Sequence, residues 1–195
     1  MTLSRAVFLD RDGIINVLWT DPRTGQPGSP LDVESVRLQG EIAREIIRFR
    51  EAGYLLVGVT NQPSAAKGRI SMVQQDAIHE RVLDLLSAEG VALDAWKICP
   101  HHPDGIVKEL ALSCSCRKPK PGMLIDAARE FNINIASSWM IGDSDSDVEA
   151  GRAAGTRTIL IGAPTSLKRS HAVFATSYCA TFKEAVDIIL EQGCS

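Results

Sequence analysis

The sequence lacks any uninterrupted apolar stretch approaching the ~20 residues that a membrane-spanning helix needs. It also lacks a basic excess: 21 lysines and arginines stand against 24 acids, for a net charge of −3. That balance argues against a broadly basic nucleic-acid surface. Aromatic residues are only 5% of the chain, so a stacking platform for bases is unsupported too. Met1 to Arg5 lead straight into an apolar run, which leaves no room for a signal peptide and makes a cytoplasmic location the expectation. Cysteines number five, and an odd count without a secretion signal speaks against a disulfide framework. No internal repeat or low-complexity tract is present. What remains is an ordinary globular composition, 45% hydrophobic and 23% charged. The 195 residues fit a single domain, 1–195, carrying one small insertion.

Strand-like and helix-like segments alternate along the chain. Buried-type runs at 6–10, 54–60, 93–98, 139–143 and 158–161 read as strands, with a short sixth over 173–178. Helical spacing predicts helices over 40–52, 72–88 (capped by Ser71), 121–132 (with Pro121 in its first turn), 145–154 and 181–191. Residues 19–30, rich in Pro, Gly and Thr, read as a loop. The pattern implies an α/β, Rossmann-like three-layer fold, with a central parallel sheet and no large cap domain.

Three predicted strands end in polar residues of one chemical theme: Asp10 and Asp12, Thr60 and Asn61, Asp143 and Asp147. In a parallel sheet these ends share one edge and converge. Taken alone, Asp10-Arg11-Asp12-Gly13 is also what a solvated Asp-Gly turn looks like, and Thr60-Asn61 a strand-end turn. Together they fit a Mg²⁺ site, because paired carboxylates repel and Mg²⁺ takes oxygen ligands and pairs with phosphate. Asp10, at the strand tip, is the candidate nucleophile. Asp12 is the candidate general acid and base. Asp143 would complete the metal site with the Asp10 carboxylate and the Asp12 carbonyl. The Thr60 hydroxyl and the backbone N–H groups of Asn61 and Gln62 are candidate phosphate donors, and Arg11 joins the same phosphate-contacting set. Arg117-Lys118-Pro119-Lys120-Pro121 supplies cations on a stiffened backbone, with Lys118 as phosphate clamp and Arg117 for a second anionic or hydroxyl-rich part of the substrate.

Cys99-x-His101 and Cys114-x-Cys116 lie twelve residues apart in a segment, 99–118, without apolar period. Three thiolates and one imidazole suit a tetrahedral structural Zn²⁺, with His102 as the competing imidazole. Cys179 and Cys194 show no partner, His79 reads as a surface residue, and His171 has no motif around it.

With these residues in place, the chain resembles the haloacid dehalogenase superfamily of phosphohydrolases across nearly its whole length. Within it, the sequence is similar to the D-glycero-D-manno-heptose-1,7-bisphosphate 7-phosphatases and the related histidinol-phosphatases. Those share Asp-Arg-Asp-Gly-x-Ile-Asn (10–16 here), Cys-Pro-His-His-Pro (99–103) and Cys-x-Cys-Arg-Lys-Pro-x-Pro-Gly-Met (114–123). The resemblance implies a phospho-intermediate on Asp10, Asp12 as acid/base, Mg²⁺ on Asp10, Asp12 and Asp143, and zinc on Cys99, His101, Cys114 and Cys116. It also implies substrate contacts from Arg117 and Lys118. The expected substrate is a small phosphorylated sugar, foremost a heptose 1,7-bisphosphate cleaved at position 7. Histidinol phosphate or another sugar phosphate is the alternative, and a zinc-stabilised non-catalytic binding module is the alternative of another class. A monomer with no nucleic-acid or membrane partner is expected. Two departures bear on the substrate. Pro63-Ser64 stands where the family commonly has Ser-Gly, and Ser144 stands where many members have Lys, a cation that Lys67 could replace.

Overall fold

The computed structural model describes residues 3–22, 24–162 and 174–193. Its main sheet has six parallel strands: β1 (Ala6–Leu9), β4 (Leu55–Asn61), β5 (Ala95–Cys99), β6 (Trp139–Gly142), β7 (Arg157–Ile161) and β8 (Ser177–Cys179). Their spatial order is β5-β4-β1-β6-β7-β8. The chain runs outward from β1 to β4 and β5, then returns to β6 and runs the other way. The reversal lies at β1, and its carboxyl end is therefore the crevice where open α/β sheets bind ligands.

Alternation along β1 explains the three layers. Val7 and Leu9 face one side, with Leu56, Trp139 and Ile141, under α1 (Ile42–Glu51), α2 (Met72–Ala88) and α5 (Phe182–Gly193). Ala6 and Phe8 face the other, with Val57 and Met140, under α3 (Gly122–Glu130) and α4 (Asp145–Ala154). All four residues of β1 are fully buried. Strands covered on both faces read as unbroken apolar runs, which is why they were legible. Ser71 caps α2 reciprocally with Gln74, through bonds of 3.2 and 2.9 Å. Gly155, at φ 97°, ends α4 in a left-handed cap. Among the described residues no helix is long and apolar enough to cross a membrane.

The differences from expectation are local. Residues 19–30 are not only a loop: β2 (Trp19–Thr20) and β3 (Pro27–Gly28) pair antiparallel as a small hairpin. Two residues per strand are too few for a period to show. β5 starts at Ala95 rather than Leu93, because Asp94 holds the turn before it: its carboxylate and its N–H bond the Leu56 N–H and carbonyl at 2.7 and 2.9 Å. Pro121 is the N-cap of α3 and not part of its first turn. Of the sixth expected strand, Ser177–Cys179 forms β8, while Val173 lies outside the described residues, as do His171 and Cys194. His79 is half-buried, its ring edge-on to Trp96 at 4.8 Å, and is not a surface residue.

Candidate active site

Asp10 follows β1 directly and is 7% exposed. Its Oδ1 accepts a bond from Lys118 Nζ at 2.8 Å. The same ammonium lies 2.6 Å from Asp147 Oδ1 and donates to the Val59 carbonyl at 2.7 Å. Burial, against the opposing charge and hydrogen bond of Lys118 and with the charges of Asp147 and Asp143, leaves the Asp10 carboxyl raised to about 7. Burial would lower the Lys118 pKa, but Asp10 and Asp147 hold it well above the ordinary lysine value. Lys118 comes from a loop, yet its backbone is locked to β4. The Asn61 amide donates to the Lys118 carbonyl at 2.9 Å and accepts from its N–H at 3.0 Å.

Asp12, two residues on, has the opposite environment. Its Oδ1 accepts from Arg11 Nε (3.1 Å) and Asn16 Nδ2 (2.9 Å); its Oδ2 accepts from Arg11 Nη2 (3.2 Å), Ser29 Oγ (2.7 Å) and Gln62 Nε2 (2.7 Å). Burial alone would raise this carboxyl; the Arg11 charge and the bonds from Ser29, Gln62 and Arg11 outweigh it and bring it down to about 2. Arg11 was expected at the phosphate. Instead its guanidinium is 1% exposed, holds Asp12 and does not line the cavity. Gln62, expected to offer its backbone N–H, uses that group on the Cys99 carbonyl at 2.8 Å. Its side chain ties Asp12 to the Thr60 hydroxyl, the latter at 2.8 Å. Thr60 and Asn61 line the cavity.

Ligand oxygens of Asp10, Asp143 and Asp147 lie within 4.8 Å of one another. An all-oxygen, carboxylate-rich set fits Mg²⁺. Asp147, expected in support, joins this cluster, whereas the Asp12 carboxylate, engaged by its five donors, does not. Two glycines make the approach possible. A Cβ on Gly13 (φ 97°) would sit 2.2 Å from Asp143 Oδ2, and one on Gly142 would sit 2.2 Å from the Asp147 Cβ. Ser144 orients Asp147 by donating to its Oδ2 from N–H (3.1 Å) and Oγ (2.6 Å).

These groups line a cavity of about 440 Å³. The hairpin and its flanks line it through Leu18, Pro27, Gly28 and Ser29, and Lys67, Arg69, Arg117 and Lys118 line it as well. Arg69 pairs with the buried Asp21 of the hairpin at 3.3 Å.

The Cys/His residues also converge. Sγ atoms of Cys99, Cys114 and Cys116 lie 3.1–3.5 Å apart, and His101 Nδ1 lies 3.6 and 3.7 Å from Cys116 and Cys99. A tetrahedron with zinc–sulfur bonds of 2.3 Å has edges of about 3.8 Å, so the four atoms frame such an ion closely. His102 faces away, its Nδ1 accepting from the Asp104 N–H at 3.1 Å, which decides between the two imidazoles. This loop braces the cation-bearing wall: Ile106 and Val107 N–H groups donate to the Ala66 carbonyl at 2.8 and 3.1 Å.

Sequence reasoning missed Ser29 and Asn16 as Asp12 partners. A lone serine in a Pro/Gly-rich stretch carries no signal of its own. Asn16 sits four residues after Asp12 in the same tight turn, a spacing that could have been noticed.

Residues 115–181 match the HAD-hydrolase-like family. Among curated proteins, the chain is 39% identical over 150 residues to a D-glycero-beta-D-manno-heptose-1,7-bisphosphate 7-phosphatase of Rhodopseudomonas palustris, covering 77% of this chain and 79% of that protein. It is 34% identical over 176 residues to a D-glycero-alpha-D-manno-heptose-1,7-bisphosphate 7-phosphatase of Photorhabdus laumondii, covering 89% and 92%. A solved D,D-heptose 1,7-bisphosphate phosphatase from B. bronchiseptica, complexed with magnesium and phosphate, superposes with a TM-score of 0.78 at 27% identity, covering 96% of this chain and 99% of that one.

Proposed function

Because the chain belongs to the haloacid dehalogenase-like hydrolases and is a phosphatase, we propose that it removes the 7-phosphate of D-glycero-D-manno-heptose 1,7-bisphosphate through an aspartyl-phosphate on Asp10. The observation that carries this reading is the pairing of two unlike regions in one cavity. Asp10 there lies against Lys118, Asp143 and Asp147, and Lys67 and Arg117 line the same cavity and add positive charge, while Arg69 is paired with Asp21. A substrate with a phosphate at each end matches both. Histidinol phosphate has one phosphate and brings an ammonium toward that cationic wall, a mismatch in charge. A non-catalytic binding module leaves the graded environments of Asp10 and Asp12 without a role.

In the first half-reaction an Asp10 oxygen bonds to phosphorus and the bond from phosphorus to the sugar oxygen breaks. The departing oxygen takes a proton through Asp12. Asp12 starts ionised, so that proton enters with the substrate as its phosphate monoanion. In the second half Asp12 takes a proton from water, the water oxygen bonds to phosphorus, the bond from phosphorus to Asp10 breaks, and Asp12 gives the proton up to the departing phosphate. Lys118 neutralises Asp10 and the developing charge on the phosphoryl oxygens. Mg²⁺ held by Asp10 and Asp143, with Asp147 beside them and the Asp12 carbonyl, would supply further charge neutralisation. Zinc on Cys99, His101, Cys114 and Cys116 would fix the loop that carries Arg117. The unit takes the whole chain as one domain with 99–118 as its insertion, acting as a cytoplasmic monomer.

The test is phosphate release with Mg²⁺ from both anomers of heptose 1,7-bisphosphate, from the corresponding 1-monophosphate and from histidinol phosphate. Release of one phosphate per bisphosphate, at a kcat/KM above that for histidinol phosphate, is expected. A preference for histidinol phosphate overturns the substrate assignment.

A further inference from the structure

A second depression adjoins the catalytic cavity at the hairpin. It holds about 320 Å³ and, among the described residues, is lined by Trp19, Asp21, Thr24 and Gln26, none of which lines the catalytic cavity. Pro27 and Gly28 of β3, together with Arg69, line both. The strand gives this boundary a paired backbone. Arg69 gives it a long side chain, whose Nη2 lies 3.3 Å from Asp21 Oδ2. Both ends of that pair are anchored. Asp21 is buried in the hairpin, where its N–H donates to the Gln26 carbonyl at 2.9 Å and its carbonyl accepts from the Gly25 N–H at 2.7 Å. Arg69 ends a tight turn after β4: its N–H donates to the Ser64 carbonyl, and that of Gly68 to the Ala65 carbonyl, each at 2.9 Å. With the Arg69 side chain 37% exposed, such a pair adds little to stability. What it fixes is where the guanidinium stands.

We propose that Arg69, held on Asp21, is a specificity-determining residue: it partitions the two cavities and selects a single phosphorylated sugar ring over a disaccharide phosphate. The inference rests on the reading of the Asp10 cavity as the substrate site. A phosphate seated against Asp10 and Lys118 leaves the rest of the 440 Å³ to the alcohol it esterifies, room enough for a monosaccharide. A second ring that turns toward the hairpin meets Arg69. Beyond it, Trp19 supplies an aromatic ring, and Thr24 and Gln26 supply a hydroxyl and an amide. An apolar face with hydrogen-bonding groups beside it suits a sugar. Reaching it means drawing the guanidinium away from a buried carboxylate, a cost that a one-ring substrate never meets. Removing the Arg69 side chain joins the depression to the catalytic cavity and abolishes that cost.

The experiment compares glucose 6-phosphate with trehalose 6-phosphate. Both carry a primary phosphoester and they differ by one ring, so the phosphate contacts cancel in their ratio. Each is measured as a competitive inhibitor of 4-nitrophenyl phosphate hydrolysis in the presence of Mg²⁺. The unaltered protein is expected to bind the monosaccharide ester more tightly. Arg69→Ala is expected to shift the ratio of inhibition constants about tenfold toward the disaccharide ester. Arg69→Lys, which keeps a cation to pair with Asp21, is expected to hold the ratio near that of the unaltered protein. An unchanged ratio in Arg69→Ala, including equal weakening of both esters, overturns the proposal and leaves the pair as a pin for the hairpin. So does a Lys variant shifted as far as Ala, or an unaltered protein that binds the disaccharide ester as tightly or neither ester at all. Asp10→Asn is the separate control for the underlying reading. Full 4-nitrophenyl phosphate turnover in that variant removes this cavity as the reaction site and the proposal with it. Loss of turnover in Asp10→Asn together with an unchanged ratio in Arg69→Ala removes the partition alone.

Discussion

Two polar clusters sit side by side at the end of the sheet and are built in opposite ways. The carboxylate floor is held by the fold. Asp10, Asp143 and Asp147 project from the ends of β1 and β6 and the start of α4, behind walls of fully buried apolar side chains. The thiol–imidazole cluster packs against the core through its cysteines but draws most of its residues from irregular chain. Only Cys99 belongs to a strand; His101, Cys114 and Cys116 lie in a segment without helix or strand. The sheet can carry repelling charges because hydrophobic burial elsewhere fixes the backbone. A loop without regular secondary structure gains from ligand bonds in reaching a single shape. The first cluster is thus specified by the core, and the second specifies its own surroundings.

Breaking the floor should destroy chemistry and spare structure. Asp10→Asn is expected to lower phosphate release at least about a thousandfold. Its melting temperature should stay level or rise, since a buried carboxyl pushed up to about 7 is removed while Lys118 keeps Asp147. Retained turnover would end the aspartyl-phosphate reading. Breaking the thiol cluster should do the reverse. Purified protein should hold about one zinc per chain by elemental analysis. Cys114→Ser should lose that zinc, open residues 99–118 to proteases and leave the sheet's far-UV signal in place. Normal protease resistance without zinc would show that the loop folds unaided.

Gly13→Ala sharpens the contrast at a finer scale. Its Cβ would collide with Asp143 at a φ that L-residues avoid, so apparent Mg²⁺ affinity should fall about tenfold with modest loss of stability. Titration of metal-dependent turnover reads this. The smallest expected effect concerns Asp12. Its folded pKa, about 2, lies below the ordinary 3.8. Its contribution is therefore full above about pH 4 and is lost as pH falls through about 2, a change on the order of 2 kcal/mol. Metal-free denaturant unfolding across that window should show this increment in the unaltered protein and lack it in Asp12→Asn.

How much of this was legible follows from the same contrast. The buried strands, the cap of α2 at Ser71, and the convergence of strand-end acids were readable because each rests on a local rule: apolar runs, caps, shared sheet edges. Arg11 was misplaced because sequence shows a cation between two acids but not which way it turns. Only packing reveals that it faces inward to Asp12. Ser29 was invisible because its partner is seventeen residues away, through a hairpin too short to announce itself. His79 looked exposed because helical position alone does not show that Trp96 leans against it. Long-range side-chain pairs are the part of a site that local pattern does not encode.

The Asn61 amide that brackets the Lys118 peptide on both sides has a consequence for how this surface can change. It works as a rivet: the cation is anchored to the end of β4, whatever the outer loop before it does. The outer part of that loop, between the thiol–imidazole residues His101 and Cys114, can then be lengthened, recoloured or exchanged while the ammonium stays where phosphorus arrives. Asn61→Asp, which keeps the size but loses the donor, would put that independence at risk. In such a variant, changes to the outer loop would begin to register in the chemistry at Asp10.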